Sequence, residues 1–261
     1  YAPQMMIQTT VTGQLSLLML IEEFTLCGWQ VISANTDGVV TKLPRADLGM
    51  FRSVIFDWEY TAGLSMEETH YRAVYSRDVN NYMALKKDQD KAGKFTGKIE
   101  VKRKGVFAPS GRGIPAAFGL KKTPNLEVCY DAAVEFVLNG TAVESHIRNC
   151  QDIRKFVTVR NVKGGALKDD ERIGKVVRYY YSVETDTPLF YASNGNRVPR
   201  SDGAMPCMTL PDELPGDIDY LRYEREAYAI LHECGLVVDD PDTRGRTGTY
   251  LGRREDQKTI H

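Results

Sequence analysis

One aspartate of the chain stands where a carboxylate could bind a metal ion. It belongs to the segment Asn35-Thr36-Asp37-Gly38, which lies between two short runs rich in β-branched residues. An Asp-Gly pair between two such runs is typical of a β-hairpin turn, so Asp37 is predicted at the tip of a hairpin. Its carboxylate oxygens would suit Mg²⁺, which prefers oxygen ligands. An aspartate in this position is more often only a turn former, and its neighbours must decide between the two interpretations.

Positive charge is the second feature with chemical meaning, because it is concentrated in one part of the chain. The net charge is −1, yet residues 86 to 122 contain eleven Lys or Arg and three Asp or Glu, whereas residues 205 to 240 contain two and nine. A basic stretch favours a polyanionic partner such as nucleic acid. Solvated protein faces carry similar charges, so the distribution alone leaves both interpretations open.

The elements that must position the aspartate are a long helix and two strands. Apolar residues recur at spacings of three and four over residues 3 to 27, which predicts a helix with one apolar face. The residues of this face are Ile7, Val11, Leu15, Leu18 and Ile21. Gly28 follows where a left-handed residue would end the helix, and strands are predicted at residues 29–34 and 39–43.

The remainder of the first half is predicted to be α+β. A second helix is predicted from Asp47 to about residue 60. Alternating patterns predict antiparallel strands at residues 70–74, 82–86 and 98–107. The basic segment 86–97 is interpreted as a loop between two of these strands.

Helices and strands follow each other again beyond a domain boundary predicted near Ser110. The predicted elements are helices at 128–140 and 141–150, strands at 155–162 and 174–182, and a last helix that Asp219 caps and Gly235 ends. Gly164 and Gly165 are interpreted as a simple turn, although they could also let the backbone approach a phosphate. Residues from 237 onward are predicted to be a tail.

Composition disfavours several classes of protein and site. The 42% of hydrophobic residues suffice for a sizeable core, and polar residues interrupt the longest apolar stretch, so no membrane span is predicted. Five widely spaced cysteines without a Cys-x-x-Cys pair argue against a disulfide framework or a structural zinc site. The four histidines show no metal-ligand spacing. A cytoplasmic location is predicted.

Four segments, taken in order, carry a resemblance to a known family. They read VISANTDGVVTKL, FDWEYTAGLSMEETHYRAVYSRDVNNYMAL, KIEVKRKGVF and LPGDIDYLRYEREAYAIL. Together they resemble the family B DNA polymerases, and they are most similar to the branch found in bacteriophages and related mobile elements. The resemblance implies the C-terminal half of a palm domain at residues 1–110, a mostly helical thumb with a small β insertion at 111–236, and a tail at 237–261.

The resemblance also implies which residues do the chemistry. Asp37 matches the second aspartate of the family's Asp-Thr-Asp-Ser hairpin, which makes it a catalytic residue and a ligand of two Mg²⁺ ions. Asn35 replaces the first aspartate, Thr36 is retained, and Gly38 replaces the serine. The implied DNA contacts are Tyr82, for which a strand-face tyrosine is the alternative, and Lys102 and Lys104. The basic residues that fall in the implied thumb are Arg154, Lys155, Arg160 and Lys163.

The implied activity is template-directed DNA synthesis from dNTPs onto the 3′-hydroxyl of a primer. The family's other catalytic aspartate and its nucleotide-binding lysine have no match in this chain, which begins at Tyr1 just after the position of that lysine helix. The chain is therefore expected to need an N-terminal polymerase fragment as its partner. The alternatives are a non-catalytic DNA-binding subunit or inactive polymerase remnant, and a different two-metal enzyme such as a cyclase, which the basic second half disfavours.

Overall fold

The chain folds as two compact units of mixed α and β structure. The computed structural model describes residues 2–36, 38–89, 95–108 and 125–238. Within these residues it contains six α-helices and three antiparallel β-sheets, which confirms the predicted α+β class. The two units are Tyr1–Lys102 and Arg103–His261. Their identities as palm and thumb stay predictions, and the predicted boundary near Ser110 lies outside the described residues.

The described ranges of the chain contain six helices and nine strands. The helices are α1 (Pro3–Leu26), α2 (Leu48–Ala62), α3 (Glu127–Asn139), α4 (Val143–Asn149), α5 (Ile153–Phe156) and α6 (Tyr220–Glu233). The strands are β1 (Gln30–Ala34), β2 (Val39–Lys42), β3 (Tyr71–Asp78), β4 (Asn81–Gln89), β5 (Phe95–Lys104), β6 (Thr158–Lys168), β7 (Glu171–Tyr181), β8 (Phe190–Tyr191) and β9 (Ala204–Pro206). They form the sheets β1-β2, β3-β4-β5 and β8-β6-β7-β9. None of these helices is both long and apolar enough to cross a membrane.

Helix α1 begins and ends where the sequence predicts. Pro3 opens it, and Gly28 follows its end with a φ of +79°, the left-handed conformation that glycine adopts without strain. The backbone N–H of Trp29 then donates to the carbonyl of Phe24 at 3.0 Å. The chain thereby turns back along its own helix into β1.

A small aromatic core holds the first unit together. Its buried members are Leu20, Phe24, Trp29 and Trp58, and Phe51 of α2 stacks on Phe24 with ring centroids 4.9 Å apart. Burying an aromatic side chain of this size stabilises a fold by on the order of 4 kcal/mol through the hydrophobic effect. This cluster joins α1, α2 and, through Val31, β1.

Both indole N–H groups of this core donate hydrogen bonds between elements. Trp29 Nε1 donates to Asp47 Oδ2 at 2.9 Å, and Trp58 Nε1 donates to the carbonyl of Ser16 at 2.7 Å. Asp47 immediately precedes α2, as predicted, and it is also the last residue of a 3-10 turn, Arg45–Asp47. The side chain of Asp47 does not cap α2. The carboxylate of Asp47 accepts the hydrogen bond from Trp29 Nε1 instead.

The three-stranded sheet is more extensive than the sequence indicates. Most of the segment 86–97 is not a loop, because β4 continues to Gln89 and β5 begins at Phe95. Residues 90–94 lie outside the described residues. At its other end β5 stops at Lys104, and a 3-10 turn, Gly105–Phe107, replaces the predicted strand residues.

A buried tyrosine ties together the helices and the sheet of the second unit. The hydroxyl of Tyr223 in α6 donates to the carbonyl of Phe156 at 2.8 Å and accepts from the backbone N–H of Tyr181 at 2.9 Å. Tyr223 is fully buried, so both bonds are shielded from water. One side chain therefore links α6, α5 and β7.

A buried carboxylate forms the second link of this unit. Asp131 of α3 is paired with Arg103, at the end of β5, and with Lys155 of α5. Burial alone would raise the pKa of Asp131, but the hydrogen bonds from Lys155 and Arg103 hold it below its usual value. Asp131 is therefore charged at neutral pH and joins three separate segments.

The prediction of a simple turn at Gly164 and Gly165 is wrong. Both glycines lie inside β6 with φ angles of +85° and +98°, where the register with β7 shifts, so they form a bulge. The hairpin turn comes at Asp169 and Asp170, which both take positive φ angles as a two-residue type I′ turn requires. The predicted small β insertion is thus a four-stranded sheet built around a long hairpin.

The last helix agrees with its prediction. Asp219 caps α6 by accepting from the backbone N–H of Arg222 at 3.0 Å, and Gly235 follows with a φ of +80°. Most of the predicted tail, from residue 239 onward, lies outside the described residues.

The indole bond of Trp29 yields a stability prediction. Asp47→Ala removes the acceptor of a partly buried N–H group, so we expect the free energy of unfolding to fall by about 1–2 kcal/mol. Urea denaturation measures this change. Asp57→Ala is the matched control, because Asp57 is exposed on α2 and should leave stability nearly unchanged. Equal losses in both variants would contradict a specific role for the bond.

Candidate functional site

The predicted metal hairpin exists as an antiparallel pair of strands. Ala34 of β1 is paired with Val39 of β2, which leaves residues 35–38 as the connection between them. The backbone N–H of Asn35 donates to the carbonyl of Gly38 at 2.9 Å and closes this connection. Asp37 lies outside the described residues, so its role as the metal ligand stays a prediction.

The hairpin is fixed at its base by the aromatic core. Val31 of β1 and Val39 of β2 pack against the cluster of Leu20, Phe24 and the two tryptophans. The register shifts between Val31 and Ser33, so Ile32 is left on an exposed bulge. Because Val31 and Val39 pack on the aromatic core, the two strands that flank the 35–38 connection are held in place.

The described part of the hairpin offers only neutral oxygen ligands. Asn35 has an amide oxygen and Thr36 a hydroxyl, and among the described residues there is no group of three or more His, Cys, Asp or Glu that could hold a metal. A carboxylate from Asp37 would therefore be the charged ligand of this connection. A side chain at Gly38 has room, because an added Cβ would lie 3.5 Å from Asn35 Oδ1.

Two of the predicted DNA-contact residues lie together on the three-stranded sheet. Lys102 of β5 interacts with Tyr82 of β4 and, at 3.4 Å from Nζ to hydroxyl, with Tyr71 of β3. Partial burial lowers the pKa of Lys102, but the hydroxyls of Tyr71 and Tyr82 outweigh it and leave the pKa above its usual value. The ammonium of Lys102 is therefore charged at neutral pH.

Tyr71 is the member of this group that the sequence does not indicate. It lies eleven residues before Tyr82, and only the pairing of β3 with β4 and β4 with β5 brings all three side chains together. A strand tyrosine has no local signal that sets it apart from a packing residue. The group of Tyr71, Tyr82 and Lys102 is called the tyrosine-lysine cluster below.

The three basic residues at the end of β5 have two different roles. Lys102 and Lys104 are exposed and, two residues apart on a strand, point to the same face. Arg103 between them points the other way, where it pairs with Asp131 and donates to the carbonyl of Phe107. The structure thus separates two surface cations from one that holds the fold.

Most of the basic residues in the implied thumb have internal partners. Arg154 binds Asp152 through two hydrogen bonds of 2.7 Å, Lys155 binds Asp131 at 2.8 Å, and Arg160 donates to the carbonyl of Pro199. Lys163 is exposed on β6, next to the glycine bulge. Of these four, Lys163 is therefore the best placed for an external phosphate.

The glycine bulge is explained by neighbouring side chains. A Cβ at Gly164 would come within 3.0 Å of the Cβ of Ser193, and the guanidinium of Arg172 lies 3.3 Å from the same position on Gly165. Arg172 also donates to the carbonyl of Gly164 at 3.1 Å. The two glycines thus give Ser193 and Arg172 space within the sheet, which accounts for them without a phosphate.

Comparison of the chain with protein-family models and with curated proteins gave no match.

The tyrosine-lysine cluster yields a prediction on ionisation. Tyr71→Phe removes a hydroxyl that raises the pKa of Lys102, so we expect this pKa to fall. NMR titration of the Lys102 side-chain resonance measures it. Tyr75→Phe is the control on the same strand. A Lys102 pKa that is the same in the natural chain and in Tyr71→Phe would show that the cluster does not form in solution.

Proposed function

We propose that this chain takes part in template-directed DNA synthesis as the C-terminal part of a family B-like DNA polymerase. In this proposal the unit Tyr1–Lys102 is part of the palm and the unit Arg103–His261 contains the thumb. The substrates are a primer-template duplex and a dNTP. N-terminal polymerase sequence outside these 261 residues supplies the second catalytic aspartate and the nucleotide-binding lysine, and the assembly acts in the cytoplasm.

The observation that carries the proposal is the tyrosine-lysine cluster. Tyr82 and Lys102 are twenty residues apart, and the resemblance marks each of them separately for contact with DNA. Their side chains interact on one sheet of the unit that also contains the 35–38 hairpin. A charged ammonium beside two phenolic hydroxyls is suited to a sugar-phosphate backbone, because all three groups can donate to phosphate oxygens.

The proposed chemistry assigns a distinct task to each residue. Asp37 holds metal at the hairpin, and Mg²⁺, when bound, stabilises the attacking 3′-oxygen and the leaving phosphate oxygen. Lys102 and Lys104 neutralise phosphates of the duplex and fix its register. Tyr82 orients the primer strand near its end. These residues supply position and charge, which are most of what phosphoryl transfer requires of a protein.

A second candidate function is DNA binding without synthesis. It is favoured by Asn35, where an amide replaces a carboxylate and the hairpin loses one negative charge. A metal site with fewer carboxylates holds divalent cations less tightly. An inactive polymerase remnant would keep the tyrosine-lysine cluster and its DNA contacts, so only an assay of synthesis separates the two functions.

The DNA-contact surface is tested by salt dependence. In Lys102→Ala/Lys104→Ala we expect weaker binding to a primer-template duplex, and a plot of log K against log salt that is less steep by about 1.8, the value for two lost phosphate contacts. Lys175→Ala/Arg225→Ala removes two charges from other exposed positions and is the control. A slope in Lys102→Ala/Lys104→Ala equal to that of the natural chain would exclude Lys102 and Lys104 from the DNA surface.

Synthesis is tested by reconstitution with a polypeptide that carries the missing aspartate and lysine motifs. With primed template, dNTPs and Mg²⁺ we expect the mixture to extend the primer, and Asp37→Ala to reduce extension by on the order of 10³-fold while DNA binding is retained. Asp57→Ala should extend normally. Full extension by Asp37→Ala would show that the metal site lies elsewhere, and binding without any extension would favour the second candidate function.

A further inference from the structure

A β-bulge in β3 decides which face of the three-stranded sheet carries Tyr71. Tyr75 of the same strand is paired with the buried Met83, and alternate residues of a regular strand point to the same face, so Tyr71 would share that face. The register shifts between Tyr71 and Ala73, however, and Tyr71 is paired with Lys86 instead. The bulge therefore moves the side chain of Tyr71 to the opposite face from Tyr75 and places it beside Lys86.

Two lysines meet the Tyr71 side chain on this face. The Cβ atoms of directly opposed residues such as Tyr71 and Lys86 lie roughly 4.5–5.5 Å apart. Lys102 comes from β5, on the far side of β4, and its Nζ donates to the Tyr71 hydroxyl at 3.4 Å. The hydroxyl of one strand is thus reached by cations from both of the other strands.

The charge of this group remains positive when its nearest carboxylate along β5 is included. Glu100 lies two residues before Lys102 on the same face of the strand, about 6.6 Å along it. Lys86 and Lys102 with Glu100 leave one net positive charge beside the Tyr71 hydroxyl. The group therefore favours an anion over a cation or a neutral ligand.

The Tyr71 hydroxyl retains a proton that it can donate. Within the described residues this hydroxyl accepts the bond from Lys102 and donates none. A phenol both accepts and donates, so the oxygen can take the bond from the ammonium while its proton goes to an external acceptor. A hydroxyl that accepts from a cation is also polarised toward donation, because hydrogen bonds in a chain strengthen one another.

We propose that Tyr71, Lys86 and Lys102 bind one phosphate of the DNA backbone, with the Tyr71 hydroxyl donating to a phosphate oxygen and the two ammonium groups neutralising its charge. The inference rests on the proposed function and extends it, because it adds Lys86 to the DNA contacts and makes Tyr71 and Lys102 act on the same phosphate. The bulge is explained by this role, since bulges re-aim side chains next to functional sites.

Fluorescence anisotropy with a labelled primer-template duplex tests the Tyr71 hydroxyl. Tyr71→Phe should raise the dissociation constant about tenfold, the size expected for one hydrogen bond to a charged group. The slope of log K against log salt should stay the same, because no positive charge is lost. Tyr75→Phe is the matched control, since Tyr75 lies on the opposite face, and it should bind as the natural chain does.

The same assay separates this inference from the proposed function. If Lys102→Ala weakens binding while Tyr71→Phe binds as the natural chain does, the Tyr71 contact is overturned and the proposed DNA surface stands. If Tyr71→Phe, Lys86→Ala and Lys102→Ala all bind as the natural chain does, the DNA surface on this sheet is overturned together with the phosphate site.

A double-mutant cycle tests whether Tyr71 and Lys102 act on one phosphate. In the Lys102→Ala background, Tyr71→Phe should change the dissociation constant by less than about threefold, because residues of one hydrogen-bond network are coupled. An undiminished, tenfold effect of Tyr71→Phe in that background would overturn the shared phosphate.

The salt slope tests Lys86 separately. Lys86→Ala should bind the duplex more weakly, with a slope of log K against log salt that is less steep by about 0.9, the value for one phosphate contact. Lys175→Ala removes one charge from an exposed position on β7 and is the control, with a slope equal to that of the natural chain. A natural slope in Lys86→Ala would remove Lys86 from the site and overturn the proposed set of three residues.

Discussion

The candidate hairpin depends on two buried indole rings. Trp29 stands at the junction of α1 and β1, packs against Phe24 and Phe51, and donates to Asp47 ahead of α2. Trp58 donates back from α2 to the carbonyl of Ser16 in α1. Each ring therefore combines a large apolar area with one directed bond, which fixes both the distance and the orientation of neighbouring elements. The strands that flank residues 35–38 are positioned by these contacts.

The sequence predicts those parts of the fold that local residues decide. Gly28 and Gly235 end their helices and Asp219 caps α6 as expected, since a cap depends on a few neighbouring residues. The turn of the long hairpin is predicted in the wrong place, because Gly164-Gly165 has a stronger local signal for a turn than Asp169-Asp170. The glycines are required instead by Ser193 and Arg172, which are distant in sequence and visible only once the sheet is formed.

The candidate site also has parts that the local sequence predicts and parts that depend on residues distant in sequence. The hairpin around residues 35–38 is predicted from its two β-rich runs and the Asp-Gly pair between them, and the choice of Tyr82 and Lys102 comes from a resemblance. Their proximity, and the presence of Tyr71 beside them, depend on how β3, β4 and β5 pair, and the residues next to each of the three side chains do not reveal this. Arg103 shows most clearly what local sequence does not predict. Within one basic triplet it points to Asp131 while its neighbours point outward, and only the alternation along β5 reveals this.

The placement of the tryptophans has a spectroscopic consequence. The chain contains two, and both belong to the unit Tyr1–Lys102. Indole fluorescence therefore reports the unfolding of that unit alone, whereas far-ultraviolet circular dichroism follows the helices and strands of both. Coincident transitions by the two signals would identify a single cooperative unfolding reaction, and separate transitions would identify two domains that unfold independently. The natural chain thus carries its own probe for distinguishing the stabilities of its two halves, with no label added.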